Sequence, residues 1–490
     1  MSGEKNIAAR CRERWDRFLI NNPTPGARVK KIIKKSAHVV TLPLQYLMVV
    51  LLRTAYKYMD KSVEHWTWER FKRVEKKLSD NSRTNRYLTE LLAKANRIPY
   101  HGGEKIRLVY LFQIPSCWPS FQSVWEILKD DGRFDVRFLL YDREQREKNQ
   151  MKGAREFLVA SGIPFEVAEE FDFEEFEPHI MIYQTPWDDS HRPDFLKSDA
   201  MSSLGIRIAY VPYGIEYSQD VWCDYIFSNN KFLATPWRVY TLSPQMKTAH
   251  RLKSAQGAAP VRVTGYPKFD IIYHALHSGD DLLPPALRQQ AAGRKIVFWQ
   301  MHFPAKDGTP DIPETSIYDY IQFAKYLPEL QDRFFVLARP HPKFEEQYEK
   351  FGMGEQAREF FQLLADCPNV YMYDEPNYMP ALISADCIIG DRSALMVESC
   401  VLDKPTLYMT NLWYKERMLD AVAPIFDSYY QGSEFYDMKL FLDFVVEKGF
   451  DYKRETRRQA AAQCVPFFDG QCGRRIVEDL VKGLLSEEVK

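Results

Sequence analysis

The sequence predicts an α/β protein built from two doubly wound parallel-sheet domains that face a cleft, preceded by an extra N-terminal helical segment. Three observations predict it. Apolar runs of strand length alternate with helical patterns, as expected for parallel strands covered by helices on both faces. The alternation restarts after a Pro- and Ala-rich stretch at 283–293, giving two halves of similar size. At 490 residues, the chain is also too long for a single core. The expected division is 1–103 for the N-terminal segment, 104–285 and 294–470 for the two α/β domains, and 471–490 for a C-terminal helix.

Lys plus Arg number 66 against 67 Asp plus Glu, so overall charge gives no argument for a nucleic-acid partner. The eight cysteines form no C-x-x-C pair, and Cys387 and Cys400 lie in apolar runs, which fits the reduced thiols of a cytosolic protein. The first twenty residues are charged throughout and lack the apolar run of a signal peptide. Arg28, Lys30, Lys31, Lys34 and Lys35 then precede seventeen uncharged residues, 36–52, with Pro43 and Gln45 among them. That length is the bottom of the membrane-spanning range. A basic cluster beside a short apolar helix suits a peripheral anchor on an anionic cytoplasmic leaflet; a buried helix with a solvated lysine face is the competing reading, and a spanning helix the least favoured. Over 61–95, Trp66, Phe71, Val74 and Leu78 are spaced for one helical face, as in a stalk or a partner surface.

The first α/β half opens with a strand at 106–114 (IRLVYLFQI), a helix over 120–129 and a strand at 135–141. A helix over 151–161 follows, then strands at 179–183, 207–211, 225–227 and 261–263. The second half begins with a strand at 295–301 (KIVFWQM) and continues with a helix over 318–330, a strand at 333–338 (RFFVLA), a helix over 344–365 and a strand at 370–373. It closes on 385–409, ADCIIGDRSALMVESCVLDKPTLYM, a strand-loop-helix-strand unit. There Ser393 stands where a helix N-cap belongs, so its hydroxyl and the Ala394 and Leu395 N–H groups form an anion site, with Glu398 placed to accept from a ribose diol. A serine cap and a first-turn glutamate are also ordinary features of helix starts.

In doubly wound sheets, ligands lie at the carboxyl ends of strands, so the polar residues at those ends are the candidates. Arg339-Pro340-His341-Pro342-Lys343 follows the strand RFFVLA on a stiff, Pro-flanked turn whose charges suit a diphosphate. Gln300, His302 and Lys306 follow 295–301, and Asp374 ends VYMYD. In the first half, Tyr213-Gly214-Ile215-Glu216 and Gly265-Tyr266-Pro267-Lys268 hold the equivalent places. Any one of these is as readily a solvated or structural residue; the combination of Arg339 or His341 with Ser393 and Glu398 carries the reading.

R-P-H-P-K, the run from Asp386 to Met409 and T-G-Y-P-K-F-D together resemble the CDP-glycerol glycerophosphotransferase family, two-domain GT-B-type enzymes that build teichoic acids and related bacterial capsule polymers. The similarity covers about 210–410 in motif form; the first half is weaker and the N-terminal hundred residues match no motif. The family's R-x-H-P falls on Arg339, His341 and Pro342, its T-D-Y-S-S on Gly390, Asp391, Arg392, Ser393 and Ala394, and its following acidic residue on Glu398. The resemblance implies donor phosphates near His341 and Ser393, with Arg339, Lys343, Asp391, Arg392, Ala394 and Gly265 also at the donor and the nucleotide ribose near Glu398. The family's W-H-G-T-P, whose histidine is its proposed base, aligns with Val211-Pro212-Tyr213-Gly214-Ile215. A phenol with a pKa near 10 is a poor base at neutral pH, so Glu216 and His302 are the candidates to take the proton, with His341 and Tyr213 completing the expected catalytic set. No D-x-D at a strand end and no metal-ligand spacing occurs, so neither cofactor nor metal is expected.

The resemblance thus implies transfer of glycerol phosphate, or a related alditol phosphate, from a CDP-activated donor held by the second domain to a lipid-linked or polymer acceptor entering from the first, on the inner face of the cell membrane. Two alternatives stand beside it: a GT-B glycosyltransferase or epimerase-like enzyme using another nucleotide sugar, and a non-catalytic GT-B scaffold, for which the lost histidine is the sequence support.

Overall fold

A computed structural model describes residues 97–141, 153–219, 232–254, 256–303, 317–410 and 418–488. The basic and apolar stretch at 28–52, the helix over 61–95, the strand at 225–227 and Lys306 lie outside the described residues.

Two parallel sheets are present. The first holds β1 (Ile106–Phe112), β2 (Phe134–Leu140), β3 (Phe165–Val167), β4 (Ile180–Tyr183), β5 (Arg207–Tyr210), β6 (Arg238–Thr241) and β7 (Val261–Val263), in the order β3-β2-β1-β4-β5-β6-β7. The second holds β8 (Lys295–Met301), β9 (Phe334–Pro340), β10 (Val370–Met372), β11 (Cys387–Gly390), β12 (Thr406–Met409) and β13 (Tyr430–Gly432), in the order β10-β9-β8-β11-β12-β13. Both are therefore doubly wound, and their direction of winding reverses between β1 and β4 and between β8 and β11. The central strands are buried on both faces: in β8, Ile296 and Phe298 join one apolar cluster while Val297, Trp299 and Met301 join the other. That two-sided burial is why these strands are unbroken apolar runs.

Several elements differ from expectation for identifiable reasons. The stretch at 283–293 is no extended linker, because Pro285 starts a helix, Pro285–Ala291, that buries Leu287 and Ala291. The expected helix over 344–365 is two, Phe344–Lys350 and Gly354–Asp366, separated where Gly352 takes φ +75°. The C-terminal helix, Cys472–Glu488, returns to the first sheet, where Ile476, Val477, Leu480 and Leu484 pack with Leu108, Tyr110, Val124 and Leu128. Asp270 fixes its start by accepting from the Cys472 and Gly473 N–H groups at 2.9 and 2.8 Å. Near its end, Glu487 pairs with the buried Arg207 at 2.9 Å.

One apolar cluster spans both sheets, with Ile215, Tyr266 and Phe269 of the first lobe against Leu395, Met396 and Phe426 of the second. The carboxyl ends of the two sheets are thereby brought face to face.

Candidate functional site

The site is built from strand ends. Register pairs Gln300 on β8 with Gly390 on β11 and with Arg339 on β9, so the residues after these three strands emerge side by side at the reversal point of the second sheet. Gly390 has to be small, since a Cβ there would lie 2.5 Å from Met396 Sδ.

Asp391 was expected at the donor and instead sits fully buried. Its Oδ1 accepts from the His302 backbone N–H at 2.7 Å and its Oδ2 from the Tyr320 hydroxyl at 2.5 Å, so it fixes the turn carrying His302 rather than facing the cleft. Burial raises its pKa to about 7, against the opposing pull of the Tyr320 hydrogen bond.

The His302 and His341 rings lie 4.7 Å apart between centroids. Their partners assign opposite tautomers. His302 Nδ1 is 3.1 Å from the Phe303 carbonyl, which only accepts, so Nδ1 carries the proton and Nε2 keeps its lone pair. His341 Nδ1 accepts from the Lys343 backbone N–H at 3.1 Å, so its Nε2 is the donor. Burial pushes His302 down to about 3, helped by Arg392, and pushes His341 well below the usual imidazole range. Both rings are neutral at physiological pH.

Arg339 donates through Nη1 to the Tyr373 and Glu375 carbonyls at 3.0 and 2.7 Å and lies 5.2 Å from the centre of the Tyr378 ring. It ties β9 to the chain after β10. Arg392 is buried beside Asp391, and Lys343 is partly exposed on the turn after His341.

The helix expected to open at Ser393 begins at Leu395 and runs only to Glu398. Ser393 Oγ accepts from the Leu395 N–H at 3.2 Å, so that N–H is committed inside the chain instead of being offered to an anion. Glu398, expected at a ribose, is fully buried: Lys268 Nζ donates to its Oε1 at 2.8 Å and the Tyr378 hydroxyl donates to its Oε2. Lys268 also reaches the Tyr378 hydroxyl at 2.7 Å, and this closed ionic triangle ties the first lobe to the second. Gly265 likewise serves packing and not a donor: its φ is +86°, and a Cβ there would meet Cys472 Sγ at 2.4 Å.

From the first lobe, the loop after β5 meets the loop after β11. A Cβ on Gly214 would stand 3.3 Å from that of Ala394, so the loop that carries Tyr213 and Glu216 closes on the loop after β11. The Tyr213 side of this loop is open, with the residue 37% exposed, and its hydroxyl accepts from Trp187 Nε1 at 3.4 Å. A phenol's ordinary value near 10 already removes Tyr213 as a base, whereas loss of solvation raises the Glu216 carboxyl to about 7. Of the two expected proton acceptors, Glu216 therefore matches neutral pH.

Of the residues expected at the cleft, the structure brings the His302 and His341 rings together at 4.7 Å, with Lys343 on the turn after His341, and places Arg339 at the end of β9 and Arg392, Ser393 and Ala394 just after β11. Sequence reasoning passed over Tyr320, Tyr378 and His191. Lys268 was quoted within T-G-Y-P-K-F-D, but nothing in its spacing reveals a partner 130 residues away. Among the described residues, no group of His, Cys, Asp and Glu is arranged to hold a metal ion, and no helix is long and apolar enough to cross a membrane.

A family profile described as CDP-Glycerol:Poly(glycerophosphate) glycerophosphotransferase matches residues 217–482, more than half of the chain. No curated protein matches by sequence. Among solved structures, the chain is similar to the wall teichoic acid polymerase TagF, at 13% identity over 84% of this chain and 96% of that one, with a TM-score of 0.54. It is also similar to MnaA of S. aureus in its UDP co-structure, at 11% identity over 78% and 98% of the two chains and a TM-score of 0.53. A third is UDP-GlcNAc 2-epimerase from Neisseria meningitidis bound to UDP-GlcNAc, at 14% identity over 77% and 99% and a TM-score of 0.51. Such identities speak for the shared GT-B-like fold alone. The profile match begins one residue after Glu216.

Proposed function

The chain belongs to the CDP-glycerol:poly(glycerophosphate) glycerophosphotransferase family, and from that membership we propose that it moves glycerol phosphate from CDP-glycerol to a hydroxyl of a lipid-linked or polymer acceptor in cell-surface polymer synthesis. The chemistry balances as follows. The acceptor oxygen attacks the glycerophosphoryl phosphorus, the bond from that phosphorus to the bridging oxygen breaks, CMP leaves with the electron pair, and the hydroxyl proton passes to Glu216. His341, donating from Nε2, and the cations Arg392 and Lys343 balance charge on the diphosphate as it divides.

The observation that supports this reading is the close approach of Gly214 to Ala394, which joins the loop that carries Glu216, a carboxyl raised to about 7, to the loop that carries the family's donor motif. Glu216 thereby takes the place of the histidine absent at position 213. The basic and apolar stretch at 28–52 supports a peripheral position on the inner face of the membrane, beside a lipid-linked acceptor.

The test is a survey of donors with the full chain. CDP-glycerol, CDP-ribitol and UDP-GlcNAc are offered with poly(glycerophosphate) as acceptor, and released nucleotide is measured. The expected result is CMP release from CDP-glycerol with growth of the acceptor. Release of UDP instead, or no release from any donor, would sink the proposal.

A further inference from the structure

The reversal point of the first sheet carries a constructed group that the reaction above does not use. Thr185 to Arg192 follow β4, next to the end of β1. His191 is 5% exposed and anchored from three sides. Its carbonyl accepts from Gln113 Nε2 at 2.6 Å, its N–H donates to the Trp187 carbonyl at 3.0 Å, and its Nδ1 lies 2.9 Å from Thr185 Oγ1. The neighbouring Arg192 is held by Asp188 at 2.8 Å and donates from Nη2 to the same Thr185 Oγ1 at 3.1 Å.

These contacts assign the tautomer. Arginine only donates, so Thr185 Oγ1 is an acceptor toward Arg192. Thr185 is buried, and His191 Nδ1 is the acceptor within reach of its hydroxyl proton. The hydroxyl therefore donates to Nδ1, and the imidazole carries its own proton on Nε2, which has no hydrogen-bond partner among the described residues. The loop that carries His191 lies against the other lobe's approach: its Trp187 donates to the Tyr213 hydroxyl at 3.4 Å, and a Cβ on the next residue, Gly214, would stand 3.3 Å from that of Ala394. Burial, with Arg192 and Lys343, holds His191 down to about 3, so it is a neutral donor throughout the physiological range.

Resting on the transfer reaction above, we propose that His191 is a further catalytic residue, whose Nε2–H donates to a non-bridging oxygen of the transferred phosphoryl group from the first-lobe side of the cleft, opposite His341. Thr185 and Arg192 are positioning residues that fix its tautomer. A fixed donor aimed at charge that develops during transfer is the arrangement that lowers a barrier most, because nothing has to reorient at the moment of reaction. The proton balance is untouched, since His191 gives up no proton and Glu216 still receives the one from the acceptor.

The experiment follows CMP release from CDP-glycerol, with poly(glycerophosphate) as acceptor, in wild type, His191→Asn, His191→Gln, Thr185→Val and Thr185→Ser, with melting temperatures alongside. Asn reproduces the Nδ1 side of the ring and lacks a group at Nε2, whereas Gln places an amide N–H near Nε2. The expected result is a fall in kcat of about 10²-fold for His191→Asn with donor KM within about threefold, and recovery of about tenfold in His191→Gln. Thr185→Val, which removes the proton that sets the tautomer, is expected to lose about tenfold in kcat, and Thr185→Ser to keep activity close to wild type. If His191→Asn stays within about threefold of wild type, if Gln recovers nothing, or if the losses follow falls in melting temperature, the role assigned to His191 is overturned while transfer by the wild type stands. No CMP release by the wild type would overturn both readings.

Discussion

The two lobes share a strand order and a reversal point, yet their carboxyl edges are finished differently. After β8, β9 and β11, the second lobe presents cations and two neutral histidines of opposite tautomer. After β4 and β5, the first lobe presents Trp187, His191, Tyr213 and Glu216, with one carboxyl raised to about 7. One edge is suited to holding a divided negative charge and the other to receiving a proton. In the proposed transfer, the scaffold fixes where chemistry happens and the loops decide which half of it each lobe performs.

The comparison breaks first at the join. Lys268→Met leaves the buried Glu398 carboxyl with only the Tyr378 hydroxyl, and is expected to cost about 3–5 kcal/mol of stability; the double variant with Glu398→Gln should recover most of it. Calorimetric melting of the single and double variants checks this. Equal melting temperatures for wild type and Lys268→Met would show that the lobes do not depend on the triangle.

On the second lobe, His341→Ala removes the Nε2 donor and is expected to lower kcat/KM for CDP-glycerol by about 10²–10³-fold, about 3–4 kcal/mol, with little change in melting temperature. On the first lobe, Glu216→Gln is expected to lower kcat by about 10²-fold. Its pH profile sharpens the contrast. With the carboxyl raised to about 7, the basic form is populated above that pH, so wild-type rates should fall as pH drops through 7, and Glu216→Gln should lose that limb while His341→Ala keeps it. The raised pKa also means that the folded state holds its proton longer than the unfolded chain, so this group's contribution to stability is present below about 4.5 and is lost as pH rises through 7. An acid limb that survives in Glu216→Gln would assign the titration elsewhere, with Asp391, also raised to about 7, next to be tested.

How much of this was legible in the sequence follows from what each feature depends on. β8 and β11 were legible because burial on both faces makes them apolar runs, and the motif loops were legible because they follow those strands directly. β3, β6 and β13, three or four residues each, were not legible, although β7 and β10, of three residues, were. The amphipathic C-terminal helix could be read, but not its return to β1, which is decided by contacts more than 300 residues apart. The same limit applies to the site. Asp391 and Glu398 stand in the expected motif, yet Tyr320 and Lys268, 71 and 130 residues away, decide that their carboxylates are internal. His191 sits in no motif and becomes visible only when Thr185, Gln113 and Arg192 close around it.

The smallest expected effect separates packing from donor contact on the first lobe. Gly265 stands in T-G-Y-P-K-F-D, where the family resemblance places it at the donor, but its backbone lies in the left-handed region and a Cβ would press on Cys472 Sγ at 2.4 Å and Phe467 Cβ at 3.0 Å. Gly265→Ala therefore combines a strained φ with an overpacked contact and is expected to cost about 2 kcal/mol of stability. The damage should appear where the C-terminal helix returns to the first sheet, with faster hydrogen exchange over 472–488. The KM for CDP-glycerol should stay within about threefold of wild type at a temperature where the variant is folded. A rise in that KM with no change in exchange would return Gly265 to the donor and show that T-G-Y-P-K-F-D reaches the cleft through its glycine.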